Sequence, residues 1–137
     1  MATSSTWTVV FEDKKITKPG FDNGDGTTGR GYTIDDDTFW NQSKFSNIWA
    51  IQYETSVTSD EVEYRDETPH SSFADANIGD ISQFTSKWDL LHLARLQSDW
   101  DNSNEKVEDP EDSGTYRLET EAEKITRLGV RPTSYSS

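Results

Sequence analysis

The stretch Ile48–His70, IWAIQYETSVTSDEVEYRDETPH, decides the fold predicted for this chain. Its first six residues place bulky side chains on both faces of an extended strand, which is typical of a strand inside a sheet or under a helix. Residues Glu61–Asp66 alternate apolar with charged side chains, the pattern of a strand with one solvent-exposed face. Because only a short polar segment separates the two runs, we expect them to form an antiparallel hairpin.

A second hairpin is predicted near the amino terminus. Trp7–Phe11 and Lys15–Lys18 are short strand-like runs joined by three polar residues, and Pro19–Gly20 is expected to end the second run. The glycine-rich stretch Phe21–Gly31 predicts an exposed loop. Consecutive carboxylates such as Asp35–Asp37 diverge and seldom converge on one cation. We therefore expect them to cap a helical turn or to face solvent.

Two helices are predicted in the second half of the chain. The first runs from Asp80 to about Asp101, with Asp80 as the N-cap and Gln83 as its reciprocal partner. The second is short and begins at the capping box formed by Thr120 and Glu123. A helix of this length is marginal alone, so we expect it to dock on another surface.

Together these elements predict an α+β fold, in which a small antiparallel sheet of two hairpins packs on one long helix, with a short C-terminal helix. Only 31% of the residues are hydrophobic, but five Trp and six Phe predict a small aromatic core. We expect a core domain over residues 1–101, an acidic linker over residues 102–114 and a C-terminal docking segment over residues 115–137. The linker is predicted because its residues are acidic and lack the apolar surface needed for order.

The long helix carries two apolar stripes when its residues are plotted at about 100° each. The first face carries Ile81, Phe84, Trp88 and Leu91. The second stripe, on the roughly opposite face, consists of Leu90, Leu93, Leu96 and Trp100. One sheet can cover only one of these faces. The second stripe is therefore a candidate partner interface, and burial under the C-terminal helix is an alternative of equal weight.

The charge balance narrows the classes of partner. The chain has 26 acidic and 13 basic residues, a net charge of −13, which repels phosphate backbones and anionic membranes. We therefore expect that the chain does not bind nucleic acid. A protein partner with a basic surface would complement this charge. The chain has no cysteine, which excludes disulfides and thiolate metal sites. Its longest early apolar run, Val9–Phe11, is too short for a signal peptide or membrane insertion, so synthesis in a cytoplasm is expected.

The sequence predicts no catalytic residue, no metal ligand and no cofactor. Asp22, Asn23 and Asp25 share the composition of a calcium loop, but the alternating ligand spacing and the final Glu are missing. His70 and His92 are the only histidines, and neither stands at a catalytic spacing from a nucleophile. We expect the chain not to be an enzyme.

Three aromatic residues form another candidate surface. Trp49, Tyr53 and Tyr64 together have the ring area of a platform for a sugar or a peptide. In a chain short of aliphatic residues, we favour the alternative that they belong to the hydrophobic core.

The stretch that decides the fold also carries a family resemblance. The strand Ile-Trp-Ala-Ile-Gln-Tyr, a polar turn, the strand Glu-Val-Glu-Tyr and a Pro before a Trp-containing helix resemble small proteins encoded near tail and tail-fibre genes of tailed bacteriophages. The preceding block FWNQSKFSN, residues 39–47, is particularly similar to uncharacterised proteins of marine cyanophages. The likeness covers residues 39–100.

This resemblance implies a non-enzymatic virion structural protein of the tail or tail-fibre apparatus, made in the host cytoplasm and bound to other phage structural proteins. Whether the chain also forms a homo-oligomer is left open. One alternative is a tail-fibre assembly chaperone that is absent from the mature particle. Another is a small metal-binding protein or enzyme built on the loops between Asp22 and Asp37. The resemblance supplies no catalytic residues.

Overall fold

A computed structural model of the protein describes residues 6–54 and 60–135. The fold is of mixed α and β class, as predicted. The strands are β1 Thr6–Val10, β2 Lys15–Asp22, β3 Thr28–Thr33, β4 Ile48–Glu54, β5 Glu61–Tyr64, β6 Lys106–Glu108 and β7 Tyr116–Leu118. The helices are α1 Asp37–Trp40, α2 Phe73–Ala76, α3 Ser82–Asn102 and α4 Glu121–Leu128, with a 3₁₀ turn at Ser43–Phe45.

Within the described residues, five strands form an antiparallel sheet in the order β3-β2-β1-β4-β5. Ile16, Val9, Ile51 and Val62 lie opposite one another on four successive strands, and all four side chains are fully buried. The two predicted hairpins, β1–β2 and β4–β5, are confirmed. The turn predicted between β4 and β5 lies outside the described residues over 55–59.

Two predictions for the segment after the first hairpin are wrong. The second strand does not end at Pro19–Gly20, and residues 21–31 are not simply an exposed loop, because β2 continues to Asp22 and pairs with β3. The ladder is irregular between Lys18 and Asp22, so a proline without an N–H falls where regular pairing is interrupted.

Aromatic side chains join the first half of α3 to the sheet. Trp88 is fully buried, and its ring packs at 5.4–5.6 Å between centroids on Trp7, Phe21 and Tyr32. Its indole N–H donates a 3.0 Å hydrogen bond to the Arg30 carbonyl. These contacts order the residues that the glycine-rich composition predicted as loop. A second group surrounds the equally buried Phe84 and consists of Phe11, Phe39 and Phe45, at 5.5–5.9 Å.

Polar caps fix the starts of the helices in this region. The Asp36 carboxylate accepts a 3.2 Å hydrogen bond from the Phe39 N–H, which confirms the predicted cap on α1. The long helix starts at Ser82, whose N–H donates to the Asp80 carboxylate over 3.0 Å. Gln83 does reach back to Asp80, but its amide donates to the carbonyl oxygen instead of accepting from the N–H.

The segment 102–114, predicted as an acidic linker without internal structure, contains β6. Hydrogen bonds order it in place of apolar packing. β6 pairs with β7, and the Glu108 carboxylate accepts hydrogen bonds from the Ser113 hydroxyl and the Gly114 N–H across the turn, at 3.0 and 3.3 Å. The described residues form two compact units, and the division between them falls within α3, after Asp89.

Candidate partner interface in residues 90–135

The second unit differs from the first in where its apolar side chains lie. Every buried apolar side chain among the described residues belongs to the segment from Trp7 to Trp88, so residues 90–135 contain none. Within residues 90–135, the buried residues are His92 and Lys124, which are both ionisable. Of the large apolar side chains that are exposed, all but Trp49 belong to the second unit. They are Leu90, Leu91, Tyr116, Leu118, Leu128 and Val130.

The predicted second stripe lies entirely in this unit, with unequal exposure. Leu90 is 67% exposed. The other members, Leu93, Leu96 and Trp100, are half-buried. The Trp100 indole N–H donates a 3.0 Å hydrogen bond to the Gly129 carbonyl, so this end of the stripe contacts the segment that follows α4. Leu91, predicted on the first face, is 36% exposed.

The chain after α4 returns along the second half of α3. The Gln97 side-chain amide donates to the Pro132 carbonyl over 3.0 Å. The buried His92 ring meets the Tyr135 ring edge-on, with 4.5 Å between their centroids. These contacts place the terminal segment over part of the helix and leave Leu90 exposed.

Bidentate arginine–carboxylate pairs hold the described elements of the second unit together. They are Arg117 with Glu123, Arg127 with Glu119, and Arg131 with Asp101. The hydrogen bonds of the first pair are 2.7 and 3.2 Å long, and those of the last pair are both 2.9 Å. Such paired charge-assisted hydrogen bonds have fixed geometry, so they orient the elements that they join.

These pairs shift the ionisation of their carboxylates. The hydrogen bond from Arg117 lowers the pKa of Glu123 to about 2, helped by the backbone N–H of Thr120. The Arg127 guanidinium likewise lowers the pKa of Glu119, whose side chain is only 3% exposed. Thr120 and Glu123 also form the predicted capping box of α4. The Thr120 N–H donates to the Glu123 carboxylate over 2.8 Å, and the Glu123 N–H donates to the Thr120 hydroxyl over 3.2 Å.

The Lys124 ammonium is another well-enclosed charge of the unit. The residue is 6% exposed, and its Nζ lies 4.0 Å from the centroid of the Trp100 ring. The same nitrogen donates to the Asn104 side chain over 3.0 Å and to the Asp101 carbonyl over 3.4 Å. A cation–π contact is therefore at the centre of this unit, whereas the centre of the first unit is a cluster of apolar side chains.

The loop residues predicted as a weak calcium-loop candidate form tight turns. Asp22 accepts from the Gly24 N–H over 2.8 Å, and Asp25 accepts from the Thr27 N–H over 3.0 Å. Residues 6–54 and 60–135 bring together no group of three or more side chains able to hold a metal ion. In that same part of the chain, each helix is too short or too polar to cross a membrane.

The three candidate platform aromatics do not share one environment. Tyr53 packs edge-on against Phe73 at 5.2 Å, and the Tyr64 hydroxyl bonds the Ser71 hydroxyl over 2.8 Å. Only Trp49 of the three is exposed, at 43%.

Sequence reasoning did not single out Tyr116 and Leu118, which are both 63% exposed on β7. Their spacing of two residues around the half-buried Arg117 is the pattern of a strand with one apolar face, and it is a signal from which they could have been found. Comparison of the chain with protein-family models, curated proteins and solved structures finds no match.

Proposed function

We propose that this chain is a non-enzymatic structural protein of a tailed-bacteriophage particle, in the tail or tail-fibre apparatus, and that residues 90–135 bind neighbouring subunits. The observation that carries the binding role is the absence of buried apolar side chains from the described part of this unit, beside its exposed leucines, tyrosine and valine. A unit of this size without a core is marginal alone, and contact with another protein would remove its apolar surface from water.

The charges of the same unit favour a basic partner surface. The β6–β7 hairpin carries Glu108, Asp109, Glu111 and Asp112, beside the exposed ring of Tyr116. Carboxylates around an apolar patch speed the encounter with a cationic surface and discourage nucleic acids. The location in a phage tail is supported by the sequence resemblance over residues 39–100.

Mass spectrometry of purified particles of the source phage tests this proposal. A stoichiometric amount of the chain in the particle is the expected result. Its absence from particles, together with expression in infected cells, would contradict the virion role and favour the assembly chaperone, which would use the same surface transiently.

Hydrogen exchange then locates the surface. Amides of residues 90–135 should exchange more slowly in the particle than in the free chain, because the partner suppresses local opening. Residues 6–54, which contain most of the aromatic core, serve as the internal control and should change little.

A further inference from the structure

We infer that one end of the five-stranded sheet is a binding site for a small organic monocarboxylate with an aromatic or branched apolar body. The site lies entirely in the first unit, between the β1–β2 turn, the 3₁₀ turn and the end of β5. It does not depend on the proposed role of residues 90–135.

The first observation is a solvent-open cavity of about 420 Å³. This volume is within the range typical of small-molecule pockets, about 300–1,000 Å³. Buried aromatic rings of Phe11, Trp40 and Phe45 form its apolar wall. Lys14 and Arg65 bring two cations to its lining, and Glu12 adds one carboxylate.

The second observation is the backbone of Lys14, which has a φ of +53°. Its N–H donates to the Phe11 carbonyl over 3.2 Å, and its carbonyl accepts from the Ile34 N–H over 2.8 Å, so the left-handed conformation is fixed by the turn. Glycine would adopt this conformation without strain. The chain instead carries a lysine whose side chain lines the cavity and is oriented by Asp37. Backbone strain of this kind is concentrated at functional sites.

The third observation is the position of Arg65. Its guanidinium carbon lies 5.8 Å from the centroid of the Trp49 ring, a side chain that is 43% exposed. Among the ion pairs of the described residues, none involves Arg65. A planar guanidinium held on an aromatic face presents its remaining donors in the geometry that matches a carboxylate.

The lining selects the class of ligand. The guanidinium and the Lys14 ammonium favour a carboxylate, and the aromatic wall of Phe11, Trp40 and Phe45 favours an apolar body. Glu12 in the lining, and Asp37 paired with the Lys14 ammonium, would repel a second negative charge. A monocarboxylate therefore fits better than a dicarboxylate or a phosphate dianion.

The test is a nuclear magnetic resonance titration of the isotope-labelled full chain with phenylacetate. The phenylacetate concentration is raised to about 20 mM, which is enough to saturate a weak site. We expect saturable chemical-shift changes at Phe11–Lys14, at Asn41–Ser46 and at Arg65. Acetate, which lacks the ring, should bind with an affinity lower by a factor of at least about ten. Equal affinity for the two anions, or no saturable shift with phenylacetate, would overturn the assignment.

Two variants separate the contributions of the cations. Arg65→Gln should weaken phenylacetate binding by about tenfold, because it removes the fork that holds the carboxylate. Lys14→Gly should weaken binding while leaving the melting temperature unchanged or higher, since glycine relieves the positive φ. Lys106→Gln, at an exposed site in the other unit, makes the same change in net charge and should bind as the native chain does. Unchanged affinity in Arg65→Gln would overturn the assignment, whatever the particle composition proves to be.

Discussion

The Lys124 ammonium lies 4.0 Å above the centroid of the Trp100 ring, in a residue that is only 6% exposed. Trp88, three helical turns earlier on α3, is surrounded by other aromatic rings. One helix thus carries an apolar core contact in its first half and an ionic one in its second. The two units should therefore respond differently to charge, salt and acid, because screening weakens ion pairs and leaves apolar burial largely intact.

Lys124→Met should destabilise residues 90–135 locally by about 1–2 kcal/mol, because methionine keeps an apolar stem but loses the cation over the ring. Hydrogen exchange of the full chain measures this as faster exchange in α4 and in the second half of α3. Lys106→Met removes a charge from an exposed residue of the same unit and should leave exchange unchanged. Native-like protection in Lys124→Met would mean that the ammonium adds no stability.

Acid should open the second unit. Hydrogen bonds from their arginine partners lower the pKa of Glu123 to about 2 and also lower those of Glu119 and Asp101. Carboxylates with lowered folded-state pKa values stabilise the fold fully above their unfolded pKa near 4, and this stability is lost as the pH falls through the folded values. Between about pH 4.5 and pH 2, amides of residues 90–135 should therefore lose protection before those around Trp88.

Glu123→Gln is the matched variant for this acid response. It removes the carboxylate whose pKa is lowered to about 2 and should reduce the pH dependence of α4 in that window. A loss of protection at the same pH and of the same size in this variant would place the acid sensitivity elsewhere.

About 1 M salt at neutral pH should weaken the exposed pairs by screening, and Arg131 with Asp101 is the most exposed of the bidentate pairs.

Trp88→Ala should unfold the first unit or destabilise it by about 3–5 kcal/mol, because it removes a fully buried side chain from the centre of an aromatic group. Urea denaturation followed by circular dichroism measures the change. Leu90→Ala, two residues away and 67% exposed, should alter stability by no more than about 0.5 kcal/mol. A stable Trp88→Ala variant would show that the faces of α3 are reversed.

Local patterns were sufficient for much of the fold. The alternation in Ile48–Tyr53 and Glu61–Asp66 gave the β4–β5 hairpin, and the capping box at Thr120 gave the start of α4, because each signal lies within a few residues. The helical period of Phe84 and Trp88 identified the face of α3 that packs on the sheet.

Contacts distant in sequence account for what local patterns missed. The glycines of β3 predicted a loop because they favour flexibility, yet Tyr32 packs on the ring of Trp88, which lies 56 residues later in the chain. The strand β6 has a single apolar residue, Val107, and depends on pairing with β7. At the candidate interface, the partner of the Trp100 indole is a carbonyl at Gly129, which no periodicity specifies.

The exposed apolar residues give the sharpest test of the proposed interface. Leu118→Asp should leave the chain folded, because Leu118 is 63% exposed, but should prevent its incorporation into particles, because a charge would be buried without a partner. Leu90→Asp makes the same test at the exposed end of the second stripe. Circular dichroism checks the fold, and quantitative mass spectrometry of particles from a phage lacking the native copy measures incorporation.

Thr133→Asp adds the same charge at an exposed polar position of the same unit and should incorporate normally. This control separates the effect of the added negative charge from the effect of replacing an apolar side chain. If Leu118→Asp and Leu90→Asp are both folded and both incorporated like Thr133→Asp, the exposed leucines are not the contact surface, and the binding role proposed for residues 90–135 fails. If both leucine variants fail to incorporate while Thr133→Asp incorporates normally, the contact surface includes both β7 and α3.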